Sequence, residues 1–496
     1  MNTSRVDAIV IGSGAGGAAA AYRLVRGGLR VLLVEKGDHL PADGSTLDVQ
    51  RVVHAGEFLS REAWLDGRGG ALVPEEHFNV GGKTKWYGAA LLRFASHEFA
   101  ADEAHGCRGW PIGLATLEPY YREAEQLLGV RTFDCEPDLA RILRRAAPHG
   151  GPWKAVPMPM ALAPEILAER AEAMHFDGFA SAQGLKADAE RSLLSTLRGN
   201  DRFTLLTNAE AVTLLGRANS PVDIVGVQLR DGREYHAPRV LLAAGALHSP
   251  RLLARYVDAH DLVRQLPAAR HIGRYLKLHL LTALVAASPR RMSDLIRKTM
   301  VLTNRRYPHS SVQPLGFDAE LISSLVPRWV PRLISSEVGS HAYGFFLQTE
   351  DGSVPQNCVR EDDIAGLSPP VLDYDASRLP AAHREHRAFT RAFQLALVRA
   401  GLIGLTRRIG LNGTAHACGT LVCGNDPSDS VVDSQGRAHG LRGLYVVDGS
   451  VLPRSSRVNP ALTIYAWGLR VGDLIARQFA VETQAPRTAP ELTHVA

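Results

Sequence analysis

The sequence predicts an α/β protein: a Rossmann-like domain assembled from separated segments of chain, with an inserted α+β domain built on an antiparallel sheet. Three observations lead there. A complete strand, glycine turn, helix, strand and acid unit occupies residues 7–37. Two more short apolar strands that end on glycine, VLLAAG at 240–245 and LYVVDG at 444–449, return late in the chain. Between them, residues 286–405 carry β-branched and aromatic runs followed by a helical stretch, the pattern of a sheet-plus-helix lobe.

The first unit reads DAIVIGSGAGGAAAAYRLVRGGLRVLLVEKG. Residues 8–11 form a short buried strand, 18–26 a helix stopped by Gly27 and Gly28, and 29–34 a second buried strand ending at Glu35. Gly12, Gly14 and Gly17 fall at G-x-G-x-x-G spacing. The first permits a tight turn, the second lets a pyrophosphate approach the backbone, and the third lets helix and strand pack closely. The helix start offers unpaired N–H groups to phosphate oxygens. Glu35 lies 21 residues after Gly14, near the ~20 at which a carboxylate meets ribose hydroxyls. That carboxylate argues against a 2′-phosphorylated ligand but does not separate NAD from FAD.

Downstream, HFNVGGKTKWYGAALLRF at 77–94 holds Gly81, Gly82 and Gly88. Such a loop either passes close to a large flat ligand or is an ordinary turn. Residues 110–130 form an amphipathic packing helix introduced by a proline and closed by Gly129, and the proline-rich stretch 131–200 reads as an insertion of loops and helices. FTLLTNAEAVTLL at 203–215 is strand, turn, strand; VGVQLRDGREYHA is a hairpin turning at Asp231-Gly232; SPRLLARY opens a helix. Residues 444–447 are a last buried strand closed by Asp448-Gly449, and a proline-rich polar loop leads through Asn459-Pro460 into a long helix. Asn459 thus sits at a loop-to-helix junction, to cap the helix or to face a pocket.

Bulk properties exclude several classes of partner. Fifty-six basic against fifty-one acidic residues leave a net charge of +5 on 496 residues. No block of like charge stands out, so no nucleic-acid partner is expected, and the RILRR and SPRRM stretches read as solvated helix faces. Five cysteines in a chain this long do not make a disulfide framework. The N-terminus lacks a leader pattern, and the longest apolar stretches, such as LLTALVAA, are far short of the ~20 residues that span a bilayer. A cytoplasmic protein without membrane partners is the expectation.

THACGTLVCGND, residues 414–426, gathers a histidine, two cysteines and an aspartate. A metal site there lacks a second Cys/His pair beside His416, Cys418 and Cys423. A redox dithiol wants C-x-x-C, and the spacing is C-x-x-x-x-C. The cysteines read as small packing residues. For His416, the residues alone leave open a structural polar histidine or a base on a loop.

Taken together, VIGSGAGGAAAAYRL with VEKG, NVGGKTKWYGAALLR, AAGALHSPRLL, HACGTLVCG followed by DPSDSVVD, and LYVVDGSVLP with NPALTIYAWGLRVGD resemble the glucose-methanol-choline (GMC) oxidoreductases over about residues 7–477. The resemblance implies a discontinuous FAD-binding domain from 1–100, 201–285 and 408–482, a substrate-binding domain from 101–200 and 286–407, and a flexible tail at 483–496. It implies oxidation of a CH–OH group by hydride transfer to flavin N5, with His416 as base and Asn459 as its partner. The implied cofactor contacts are Gly12, Gly14, Ala15, Gly17, Glu35, Lys36, Gly81, Gly82, Val212 (by its backbone, at adenine), Ala244, Gly245, Asp448, Gly449, Asn459 and Pro460. Members that attach FAD covalently use a histidine near Gly82; here the stretch is Lys83-Thr84-Lys85-Trp86, which implies non-covalent FAD. The C-terminal wording is similar to the bacterial members that oxidise sugars and aminoglycosides, so the implied substrate is a small polyhydroxylated alcohol, with O₂ or another acceptor reoxidising the flavin. Asp318, Glu320, Glu337, Glu350 and Asp351 would receive an aminated sugar or else lie on solvated surface. The alternatives are a flavin-containing lyase on the same fold, in which His416 does acid–base work without redox, and an NAD-dependent dehydrogenase.

Overall fold

The computed structural model describes residues 6–317, 321–322, 332–361 and 368–484. Its first sheet is parallel. The strands Leu444–Val446, Val240–Leu242, Ala8–Ile11, Val31–Val34 and Phe203–Leu206 lie side by side in that order. Four of them are buried along their whole length, as continuous Val/Ile/Leu runs must be when both faces are covered. Parallel strands present all their carboxyl ends along one edge, where such sheets receive ligands. Gly12, Glu35, Ala243 and Val447 each follow the end of one strand.

Two boundaries differ from the sequence expectation. The first helix runs Ala15–Arg26, not from residue 18, because Gly14 in extended conformation lets it start directly out of the turn. The second strand begins at Val31, not at 29, because the Leu29 N–H closes the helix end on the Leu24 carbonyl at 3.1 Å.

The long helix Ala461–Gln484 crosses the first helix through its smallest residues. A methyl on Gly468 would sit 3.0 Å from Ala19 Cβ, and one on Gly472 3.0 Å from the Ala20 carbonyl. These glycines are four apart and share a helix face. Their close packing seats the helix start, with Asn459 and Pro460, beside the glycine turn.

The second sheet is antiparallel, in the order Ile403–Arg408, Leu280–Ala287, Ala342–Thr349, Tyr307–Pro314, Met300–Asn304, Trp153–Pro157. Helix Pro380–Arg399 covers it with Phe389, Phe393 and Leu397, against Leu284, Phe345 and Leu347. Its last strand comes from the stretch read as loops and helices. Alternation is masked there by prolines, and the strand is held by Trp153, whose ring lies 5.4 Å from both Phe389 and Phe393. Leu280–Ala287 pairs with Ala342–Thr349 along its whole length. RILRR lies in helix Pro137–Ala146, whereas SPRRM forms no helix. The expected hairpin turns at Gly232, φ +87°, and belongs to a three-stranded sheet of Ala211–Arg217, Ser220–Leu229 and Glu234–His236. Among the described residues, no helix is long and apolar enough to cross a membrane.

Candidate active site

A cavity of about 560 Å³ opens along the carboxyl edge of the parallel sheet and extends under the antiparallel one. At one end, Glu35 is buried and its carboxylate accepts from the Ser13 N–H at 3.0 Å, the Ser13 hydroxyl at 2.5 Å and the Gly37 N–H at 3.0 Å. Burial pushes its carboxyl upward, against the pull of these three donors toward the ionised form. Ser13 Oγ also accepts from the Gly81 N–H at 2.9 Å, knitting the two glycine loops together. The sequence pattern does not single out Ser13, because it is an unspecified position of the glycine motif.

The glycines divide by what faces them. Gly12 has φ +105°, and a side chain there would strike the Ala243 carbonyl. Gly17 would strike Gly12 and Gly16 the Val447 carbonyl, so these two serve packing. A methyl on Gly14 would have nothing within 4 Å of it, and Gly14 lines the cavity. A methyl on Gly82 would sit only 3.3 Å from Gly14 Cα, so the loops meet backbone to backbone. Asp448, fully enclosed, accepts from the Gly245 N–H at 2.8 Å, the Ser450 N–H at 2.9 Å and the Ser249 and Ser450 hydroxyls. It thereby ties the ends of two strands together, while burial raises its carboxyl.

At the other end stand His416 and Asn459. Gln313, on the antiparallel sheet, donates its Nε2–H to Asn459 Oδ1. That turns the Asn459 amide NH₂ toward His416, with Nδ2 3.3 Å from Nε2. A donor facing Nε2 makes that nitrogen the acceptor, so the neutral ring carries its proton on Nδ1. Burial, then the neighbouring His279, Lys298 and Lys83, hold His416 well below the ordinary histidine value. Its Nε2 is therefore unprotonated at neutral pH.

Of the residues read from the sequence, Gly12, Gly14, Ala15, Glu35, Lys36, Gly82, Ala244, Gly245, His416, Asp448, Gly449, Asn459 and Pro460 line this one cavity. Gly17, Gly81 and Val212 do not. Gly17 and Gly81 act behind the wall. Near Val212, it is Ala209, Glu210 and Ala211 that reach the cavity, because the chain turns in there on a hydrogen bond from the Ala209 N–H to the Glu35 carbonyl, 2.8 Å. Lys83 lines the cavity, its ammonium on Glu76 and on the Thr414 carbonyl at 2.8 Å, whereas Lys85 turns away to Glu190 and Asp188. Cys418 and Cys423 are buried, and burial pushes both thiols up to about 12.

Of the acids read as either receiving an aminated substrate or lying on solvated surface, Glu337, Glu350 and Asp351 do not line the cavity. Glu350 is enclosed by Arg454 at 2.8 Å and His309 at 3.0 Å. Asp351 accepts from Ser455 at 2.7 Å, Tyr374 at 2.9 Å and the Leu278 N–H at 2.8 Å. Glu337 is exposed and pairs with Arg291. Asp318 and Glu320 lie outside the described residues.

Comparison with known proteins agrees with this layout. The profile described as FAD dependent oxidoreductase matches residues 7–307, and that described as GMC oxidoreductase matches 374–468. The chain is 30% identical to 6'''-hydroxyparomomycin C oxidase of Streptomyces lividus, over 97% of its own length and 93% of the relative's. It is also 30% identical to paromamine 6'-oxidase of Streptomyces fradiae, covering 96% and 93%. The chain belongs to the GMC oxidoreductases. It is an FAD-dependent alcohol oxidase or dehydrogenase. The crystal structure of pyridoxine 4-oxidase from Mesorbium loti shares this GMC fold, with a TM-score of 0.67, 19% identity and coverage of 96% and 99%.

The cavity suits FAD on its own evidence. Gly14 leaves open space where a pyrophosphate needs backbone, the helix start beside it supplies free N–H groups, and Glu35 stands at the ribose position of the fold. Gly12, Gly14, Ala15 and Gly82 would hold the phosphates, Glu35 the ribose, and Asp448 and Gly449 the middle of the dinucleotide.

Proposed function

We propose that this enzyme oxidises a CH–OH group of a small polyhydroxylated substrate, a sugar or an aminoglycoside-type sugar, with His416 as the base. Bound FAD supplies the two-electron hydride acceptor. A substrate hydroxyl facing both His416 and Asn459 gives its proton to Nε2. The Asn459 NH₂, which has no place for that proton, donates to the oxygen as negative charge develops. The observation that carries this reading is the pair itself: an unprotonated imidazole nitrogen 3.3 Å from an oriented amide donor, both on the cavity wall. The substrate class is supported by the two aminoglycoside oxidases among the relatives. No feature of the site favours a lyase.

FAD is held without a covalent bond in this reading, since the loop at 83–86 offers no histidine. His77, the histidine nearest that loop in sequence, stacks on Trp86 at 4.6 Å with Nδ1 on the Phe58 carbonyl at 2.9 Å. The enzyme works in the cytoplasm and passes its electrons to O₂ or another acceptor.

Anaerobic mixing of the yellow holoenzyme with paromamine and with neutral sugars tests the reading. Bleaching of the flavin bands is expected, and admission of air then tells oxidase from dehydrogenase. Product formation with an unbleached flavin would instead mean a lyase. Acid precipitation is expected to leave the flavin in the supernatant.

A further inference from the structure

Among the described residues, seven carboxylates line the cavity, and five are already engaged. Glu35 and Asp448 are filled by backbone and hydroxyl donors. Glu62 and Glu210 lean on Lys36. Glu76 holds Lys83 and Thr414, and Glu75 is exposed at the cavity mouth. The seventh, Asp177, comes from the inserted region between 131 and 200 and is 8% exposed.

Among the described residues, donors reach only one of its oxygens. Asp177 Oδ2 accepts from Lys298 Nζ at 2.8 Å and from the Gly316 N–H at 3.1 Å. Among the described residues, Oδ1 receives no donor. It packs against Gly88, where a Cβ would strike both Oδ1 and Lys298 Nζ, so only glycine lets the pair lie against that backbone on the cavity wall. The loop beneath is fastened. Lys186, 1% exposed, donates to the carbonyls of Phe176 at 2.6 Å and Phe179 on either side of Asp177, and to that of Tyr87 at 2.8 Å, next to Gly88. The pair shares its chamber with Gln313, Leu315, Phe346 and His416. The charge of Lys298 reaches His416 and lowers its proton affinity.

We propose that Asp177 and Lys298 form a subsite that binds an amino alcohol: Asp177 Oδ1 takes the substrate's ammonium while a free N–H of Lys298 donates to a neighbouring hydroxyl oxygen. This rests on the reading that the substrate's carbinol lies at His416, and it adds that the substrate carries an amine. A firmly held carboxylate on the cavity wall gives a charge-assisted contact that a neutral polyol cannot match. The Lys298 ammonium and the Gly316 N–H hold Oδ2, so the other oxygen is presented in one orientation.

The test uses the holoenzyme of the wild type and of Asp177→Asn, a nearly isosteric change. Calorimetric titration with paromamine and with fully N-acetylated paromamine measures binding, and anaerobic stopped flow with the same two compounds measures flavin reduction. For Asp177→Asn the dissociation constant for paromamine is expected to rise by about tenfold or more, as loss of a charged contact requires. The N-acetyl compound should bind both proteins alike. Equal binding of paromamine to wild type and variant would overturn the subsite. If Asp177→Asn fails to fold, judged by its melting temperature and flavin content, the double variant Asp177→Asn/Lys298→Gln leaves no unpaired charge and must show the same loss of discrimination. The two proposals fail separately. Binding that depends on Asp177 without bleaching keeps the subsite and sinks the oxidation of that compound. Bleaching that is indifferent to Asp177 does the reverse, and absence of both binding and bleaching in the wild type sinks both.

Discussion

The two ends of the cavity are made of different material. The nucleotide end is built from backbone: Gly12, Gly14, Gly16 and Gly82 act by lacking side chains, within two short stretches of chain. The end at His416 is built from side chains delivered by distant segments: Asp177 from the insertion, Lys298 and Gln313 from the antiparallel sheet region, His416 and Asn459 from the C-terminal part. A backbone site needs local sequence to turn correctly, whereas a side-chain site needs the whole fold to converge. The first tolerates little change at its glycines. The second can be retuned one residue at a time without loss of the scaffold, and that difference can be tested.

The largest effect belongs to His416. Its replacement by alanine is expected to slow flavin reduction by about 10²–10⁴-fold, the usual worth of a general base, with flavin content unchanged. Stopped-flow bleaching with a substrate of the wild type measures it. A variant that bleaches at the wild-type rate would show that the proton leaves by another group.

Next come two neighbouring glycines that should fail in opposite ways. Gly16→Ala places a methyl on the Val447 carbonyl, where backbone must move. A destabilisation of about 1–3 kcal/mol or more is expected from such overpacking, read as a lower melting temperature of apoprotein and holoprotein alike. Gly14→Ala meets no protein atom within 4 Å. Its apoprotein should melt as the wild type does, while the flavin content after purification falls. Equal behaviour of the two variants would mean that Gly14 does not face the pyrophosphate.

This contrast also explains what was legible in the sequence. The parallel sheet, the glycine turn, Glu35 and the strand ends at 243–245 and 447–449 could be read directly, since each is a local pattern with a local cause. His416 and Asn459 could be located only because a family resemblance links residues 43 apart in sequence. Gln313 gave no signal: it is a polar residue in a buried strand, and its value comes from Asn459 lying opposite. The same holds for Asp177 and Lys298, while Glu350 and Asp351, chosen for their charge, turned inward to partners that composition does not reveal. Trp153–Pro157 was missed because its partner, Met300–Asn304, lies far along the chain.

Gln313 supplies the third test. Gln313→Leu removes the donor that orients Asn459 Oδ1, freeing the amide to rotate its oxygen toward His416. Misorientation on this scale should cost about tenfold to a hundredfold in the limiting rate of flavin reduction, with little change in flavin content. A hydrogen-bond acceptor facing Nε2 would also favour the tautomer protonated there, so the ¹⁵N shifts of the His416 imidazole are expected to change with the rate. Loss of rate without a tautomer change would assign Gln313 to substrate contact instead.

The smallest effect concerns the charges around His416. Burial contributes most to its depressed proton affinity, followed by His279, Lys298 and Lys83. A base whose value is depressed stays unprotonated as pH falls through 6.5 and is lost only at a lower pH. The acid limb of the reduction rate should therefore lie well below 6.5 in the wild type. Lys83→Met removes one of the minor cations, which should shift that limb upward toward 6.5 by a fraction of a unit and leave the plateau rate in place. Because Lys83 also holds the Thr414 carbonyl two residues before His416, loss of position and loss of charge must be told apart. Raised ionic strength screens charge but leaves geometry alone, yet it acts weakly on partly buried pairs. A Lys83→Arg variant is the better control: it keeps the cation, so the limb should return to its wild-type place. A limb that stays raised in Lys83→Arg would mean that the lysine acts by holding the 414–416 turn, and the nucleotide loop would then be positioning the base as well as carrying the cofactor.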